Sequence, residues 1–163
     1  MTSEKTTNEK KPRKEISAGF IVYRRTVEGP KFLILYHGHN YWNFPKGKIE
    51  SEEKSLRAAF RETKEETGLG EGDLRMSQNF KAYQKYFFRQ RGQPIFKIVI
   101  FYLAETRNPL IKVSSEHQGY AWFLYPEAMR ILHRYRANQK ILKQAYDQIR
   151  GAGFHRREEH SSR

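Results

Sequence analysis

The chain contains no cysteine. A disulfide framework, a thiolate metal site and a cysteine nucleophile are therefore excluded. No apolar run approaches the roughly 18–20 residues that cross a bilayer. The opening MTSEKTTNEKKPRKE also lacks the apolar core of a secretory signal. These absences lead us to expect a cytoplasmic protein with no membrane partner. Acidic residues are scarce too: Asp and Glu total 18 against 31 Lys and Arg, a formal net charge of +13. Such a field favours polyanionic substrates and speeds their encounter. Nucleotides, RNA and inositol phosphates all fit it, as does nonspecific adhesion to nucleic acid. With 163 residues the chain is long enough for one domain with a core that needs no crosslinks.

What the chain does have is concentrated between Gly47 and Leu69, GKIESEEKSLRAAFRETKEETGL. Glu53 follows the glycine after five residues, Arg61-Glu62 after seven more, and Glu65-Glu66 and Gly68-Leu69 close the segment. Ser51 is the expected N-cap of a helix, Glu52 and Glu53 suit its first turn, and Gly68 suits its end. Leu56, Ala59, Phe60 and Thr63 fall at helical spacing and should bury one face. Glu62, Glu65 and Glu66, related by i+3 and i+4, bring their carboxylates together on another. Three close anions raise each other's pKa unless cations intervene. Hard oxygen ligands in this pattern suit Mg²⁺ or Mn²⁺. A solvated acidic face paired with Lys54 and Lys64 is the plainer reading of E-x-x-E-E alone. The flanking glycines, with Glu53 and Arg61 in register, set that reading aside.

The segment resembles a Nudix box, the signature of hydrolases that act on nucleoside diphosphates linked to another group. Thr63 departs from the pattern, standing where the family usually carries an aliphatic residue. The resemblance implies an α+β fold, an α/β/α sandwich with a mixed sheet between helices. It also implies that Glu62, Glu65 and Glu66 hold metal with the Gly47 carbonyl, and that Arg61 orients the glutamates while pairing with Glu53. Mg²⁺, or Mn²⁺ in its place, would activate water for in-line attack on a phosphoanhydride. Glu65 is the expected base and Glu116 the alternative.

The domain is expected over residues 16–150, with a disordered tail at 1–15 and a flexible tail at 151–163. Ile16 to Arg24 and Lys31 to His37 read as strands joined around Glu28-Gly29-Pro30. Phe80 to Arg89 and Ile95 to Ala104 read as a long hairpin through Arg91-Gly92, and Tyr120 to Leu124 as a last short strand. Pro126 opens a helical stretch. A second helix runs from about Asn138 to Ile149, with Ile141, Leu142, Ala145, Tyr146 and Ile149 on its apolar face.

No acidic residue lies between Asp73 and Glu105, where basic and aromatic residues interleave. Aromatic faces can stack a base and cations can hold phosphates. A half-buried hairpin with core aromatics and solvent-facing lysines accounts for the same composition. With Arg91-Gly92 as the two turn residues, Tyr86 falls opposite Lys97. Lys85, Phe87 and Ile98 then share the other face, and a one-residue slip would reverse the assignment. Tyr41 to Gly47 (YWNFPKG), Lys97 to Glu105 (KIVIFYLAE) and Ser114 to Trp122 (SSEHQGYAW) resemble asymmetrically cleaving bis(5′-nucleosyl)-tetraphosphatases. The similarity runs from about Ile16 to Ala128. It implies nucleotide and phosphate contacts by Tyr86 and Lys97, and a Glu116 that approaches the metals from a separate loop. For diadenosine tetraphosphate the products would be ATP and AMP.

Lys46, Lys85 and His37 complete the candidate substrate contacts, with His39 a weaker one. His117 could bind metal, though no H-x-x-H or H-E-x-x-H spacing supports it. Trp42 and Trp122 suit core positions better than ligand contacts. Arg130, Arg134, Arg136, Lys140 and Lys143 suit a solvated helix face, or an RNA or polyphosphate patch. RNA 5′-pyrophosphohydrolase and diphosphoinositol polyphosphate phosphohydrolase activity are alternatives on the same scaffold, with RNA the second candidate partner. A noncatalytic nucleotide- or RNA-binding module is the third reading, against which the three intact glutamates argue.

Overall fold

The structure is a computed structural model that describes residues 10–161, with side chains over 10–151. Its elements are β1 (Arg13–Thr26), β2 (Gly29–Gly38), β3 (Tyr41–Asn43), β4 (Lys46–Lys48), α1 (Ser55–Thr67), β5 (Arg75–Met76), β6 (Ala82–Gln90), β7 (Gln93–Glu105), β8 (Gly119–Leu124), α2 (Tyr125–Ile131) and α3 (Arg136–Ser161). The sheet runs β3-β2-β1-β7-β5, with β4 also on β1, β6 on β7 and β8 on β2. Among the described residues only β1 and β7 pair in parallel, so the sheet is mixed.

Alternation along β1 explains the three layers. Ala18, Phe20 and Val22 point to one face and pack with Leu33, Leu35 and the helix residues Ala58 and Ala59. Ile21 and Tyr23 point to the other and pack with Phe32, Ile34 and the α2 and α3 residues Ala128, Leu132, Leu142 and Ala145. A strand buried on both faces reads as a continuous apolar run, as FIVY does. This is the sandwich expected from the sequence.

Several boundaries differ from the sequence reading. β1 begins at Arg13, because its polar first residues continue the parallel ladder, Arg13 against Ile95 and Glu15 against Lys97. The first hairpin turns at Val27-Glu28, with Thr26 opposite Gly29, one residue ahead of the expected Glu28-Gly29-Pro30. Helix α3 continues to Ser161, beyond the expected Ile149. Of the segments expected as tails, residues 1–9 and 162–163 lie outside the described residues, as do the side chains from 152 onward. Among the described residues no helix is long and apolar enough to cross a membrane.

The β6–β7 hairpin follows the sequence closely. Arg91 and Gly92 have φ of 51° and 74°, the left-handed pair of a two-residue turn whose twist matches the strands. The register places Tyr86 against Lys97 and Lys85 against Ile98.

Candidate active site

Helix α1 starts later than expected. Lys54, not Ser51, is its N-cap, and Glu52 sits at φ 64° in the preceding turn. The cause is the use to which Glu53 is put. Its carboxylate accepts two bonds from Arg61, at 2.8 Å from Nε and 2.9 Å from Nη2, and one at 3.2 Å from the Glu50 amide. The pair with Arg61, eight residues on, has thus taken the side chain that would have served the first turn. At the other end Gly68 adopts φ 78° and closes the helix as expected. Ala59 and Thr63 are fully buried, while Leu56 and Phe60 are only partly so. Ala58, absent from the expected face, is buried in full. The Thr63 hydroxyl has no hydrogen-bond partner, which marks the departure from the usual aliphatic residue as a buried polar atom left unmatched.

Arg61 organises the acidic face. Besides Glu53 it reaches Glu62 Oε1 at 2.9 Å, Glu65 Oε2 at 3.3 Å and the Lys48 carbonyl at 3.0 Å. Glu65 remains largely exposed, whereas Glu66 is buried and accepts the Lys46 backbone amide at 3.0 Å. Burial pushes the Glu66 carboxyl up to about 8, and the charges of Glu62 and Glu116 add to the rise. Burial likewise raises Glu62, with the charges of Glu65 and Glu116 adding to the rise. Glu116 therefore acts on the α1 carboxylates from the loop before β8. Gly47 is pressed against this group: a Cβ there would lie 2.0 Å from Glu62 Cδ. Only glycine lets the backbone approach so closely.

These residues fit a divalent cation. Buried carboxylates that raise one another's pKa form an anionic pocket that a cation would relieve. They offer hard oxygen donors, with the Gly47 backbone alongside. Among the described residues no three such groups are yet gathered tightly enough to chelate an ion. Arg61 instead draws Glu53, Glu62 and Glu65 onto its guanidinium.

A second group of side chains adjoins the carboxylates. Lys97 is largely buried and lies 3.6 Å from Glu15, which also pairs with Lys48 at 3.2 Å. Burial lowers the Lys97 ammonium pKa, and it lowers that of Lys46, where the Lys97 charge adds to the effect. Tyr86, directly across from Lys97, is 42% exposed; partial burial raises its phenol pKa, and the charges of Tyr41 and Glu15 add to the rise. The Tyr41 ring lies tilted against His37, with centroids 4.8 Å apart, and meets Tyr135 edge-on at 5.2 Å.

His37 lies 4.5 Å from the His117 ring, and its Nε2 is buried without a partner. Burial, with the charges of His117 and Lys46, depresses its pKa to about 4. His117 is buried, bonds Ser114 Oγ through Nδ1 at 2.9 Å, and brings Nε2 within 3.9 Å of Glu66.

Lys46, His37, Tyr86, Lys97, Gly47, Arg61, Glu62, Glu65, Glu66 and Glu116 are thus brought into one region. Lys85 is not: strand alternation turns it to the face opposite Tyr86 and Lys97. His39 is exposed in the β2–β3 turn. Trp42 and Trp122 pack against the two core layers, as expected.

Three contributors escaped the sequence reading. Glu15 lay in the expected tail, Tyr41 preceded the motif, and Asn43 joins a buried chain of amides. Gln84 Nε2 donates to Asn138 Oδ1, Asn138 Nδ2 donates to Asn43 Oδ1 at 3.1 Å, and Asn43 Nδ2 donates to the Tyr41 hydroxyl at 2.7 Å. The aromatic pair in YWNFPKG was the available signal for Tyr41; nothing local marks Glu15.

Comparison with known proteins assigns the family. The NUDIX domain model matches residues 13–145. The chain belongs to the Nudix family. This Nudix hydrolase is 35% identical to the asymmetrical bis(5′-nucleosyl)-tetraphosphatase of Mus musculus over 128 residues, 71% of this chain and 82% of that protein. It is 31% identical to the Caenorhabditis elegans protein of the same name over 118 residues, 71% and 83% of the two chains. The crystal structure of a C. elegans Ap4A hydrolase binary complex superimposes with a TM-score of 0.73 at 28% identity, covering 84% of this chain and 98% of the other. The Nudix hydrolase thus shares both sequence and fold with that group.

Proposed function

We propose that this Nudix hydrolase cleaves dinucleoside polyphosphates, taking diadenosine tetraphosphate to ATP and AMP, with Mg²⁺ or Mn²⁺ as its cofactor. The observation that carries the reading is the junction at Lys46. Its backbone amide holds Glu66, and its side chain feels the charge of Lys97, whose strand partner is Tyr86. An arrangement of ring and cations therefore continues into the carboxylate pocket.

In this reading Tyr86 stacks a base, with Tyr41 and His37 walling the same region. Lys97 and Lys46, both partly desolvated, face the polyphosphate, where their charges act more strongly than in water. Glu62, Glu65, Glu66, Glu116 and the Gly47 carbonyl would hold the cation, which would supply charge neutralisation at the phosphates. Glu65, the exposed member of the cluster, accepts a proton from the attacking water as its oxygen bonds to phosphorus and the bridging P–O bond breaks. Arg61 positions Glu62 and Glu65 without touching substrate.

A substrate panel with Mg²⁺ tests this: diadenosine tetraphosphate, ADP-ribose, 5′-triphosphorylated RNA and a diphosphoinositol phosphate. Preferential turnover of the first, with ATP and AMP as products, is the expected result. Preference for any other member would reassign the substrate.

A further inference from the structure

The proposed reaction uses the Tyr86–Lys97 face of the β6–β7 ribbon and leaves its other face unexplained. Alternation along β6 brings Lys81, Tyr83, Lys85, Phe87 and Arg89 out together. In order they read cation, ring, cation, ring, cation. Lys81 precedes the strand by one residue, yet its ammonium lies 5.7 Å from the Tyr83 ring centroid and 5.8 Å from that of Tyr102. It therefore belongs to the same face. All five side chains are exposed, with Tyr83 at 52% and Phe87 at 70% of its surface. Phe87 is held flat against Phe96, with centroids 4.6 Å apart, so its outer face is presented rather than left to swing.

Two plainer explanations fall short. Lysines on a marginal strand discourage edge-to-edge pairing, and β6 pairs only with β7 among the described residues. That accounts for the cations, but exposed rings between them work against the purpose. A second copy of the chain could cover the rings, but it would bring the same cations against these across the contact. No acidic residue from 74 to 104 offers them a counter-charge.

We propose that this outer face of β6 is a binding track for single-stranded nucleic acid. Same-face neighbours on a strand recur at about 6.7 Å. At that spacing an extended polynucleotide meets a cation and a ring in turn. Lys81, Lys85 and Arg89 take phosphates, while Tyr83 and Phe87 stack unpaired bases. A duplex hides its base faces and offers the rings nothing. A ring-free polyanion would have no use for them either.

Fluorescence anisotropy of a labelled 12-nucleotide RNA, the matching DNA strand and the duplex, over a salt series, tests the track. The single strands should bind the full-length protein more tightly than the duplex. Tyr83→Ala with Phe87→Ala should weaken that binding about 25-fold or more, since stacked rings each contribute about five-fold or more. Lys81→Ala with Arg89→Ala should lower the slope of log K against log salt by about 1.4, two phosphate contacts' worth. Circular dichroism melts of both variants establish that the fold is kept. Binding by RNA alone, or by RNA and DNA alike, supports the track provided the ring variant loses it. Absent single-strand binding, equal affinity for duplex, or a ring variant within threefold of the parent overturns it.

Discussion

Gly47 and Glu62 are in such close approach that a methyl group on the glycine would fall 2.0 Å from the glutamate's Cδ. The glycine of the motif is thus a steric condition on where a carboxylate can stand. Gly47→Ala should displace Glu62 while leaving the core untouched. A displacement near 1 Å costs about 100-fold in turnover when groups must be aligned. Steady-state kinetics with an unchanged melting curve would support this; near-parental kcat would show that Glu62 can move freely.

Tyr86 and Lys97 share one face but should fail differently. Tyr86→Ala removes a stacking surface that forms with bound nucleotide, so KM for diadenosine tetraphosphate should rise about tenfold or more with little change in kcat. Lys97→Met removes a charge facing the phosphates and should lower kcat/KM while Glu15 keeps its pair with Lys48. An unchanged KM in the tyrosine variant would place the base elsewhere.

Stability should depend on pH through Glu66 and His37 in opposite directions. Glu66 holds its proton up to about pH 8 in the folded chain, against 4.5 for the free group. The folded state thus binds more protons in that window, and stability falls as pH rises, by at most about 1.4 kcal/mol per pH unit. His37 stays neutral down to about 4 when folded, against 6.5 when free, so it makes stability rise with pH over that range. The two oppose each other up to pH 6.5 and Glu66 dominates above it. In EDTA the unfolding temperature should fall between pH 6.5 and 8. Glu66→Gln should abolish that fall, and saturating Mg²⁺ should suppress it. A parental curve flat over this interval in EDTA would contradict the assignment.

Asn138 links three elements through buried side-chain amides. Gln84 is the last buried residue of β6 before Tyr86, so its bond to Asn138 anchors the strand where it leaves the core. Asn138→Ala strands the Gln84 amide, while Asn43 Oδ1 keeps the Phe44 amide, and should cost about 1–3 kcal/mol in a urea melt. It should also raise KM, because Tyr86 and Tyr41 both depend on the chain of bonds. Asn138→Asp keeps the acceptor for Gln84 but sets an acceptor against Asn43 Oδ1, so it should rescue neither quantity. Full rescue by aspartate would break the proposed direction of the bonds.

Short-range chemistry was legible in the sequence. The Arg91-Gly92 turn sets the β6–β7 register because two left-handed residues leave one pairing, and Tyr86 opposite Lys97 follows from it. Gly68 ends α1 because no other residue adopts that conformation at so little cost. The spacing of Glu62, Glu65 and Glu66 is a property of one helix. What only tertiary structure decided is where distant segments meet. Glu15 joined β1 through its parallel ladder with β7, and His117 reached Glu66 from the loop before β8. Each is a charge or ring whose partner lies far along the chain. Its burial depends on packing that local periodicity does not encode.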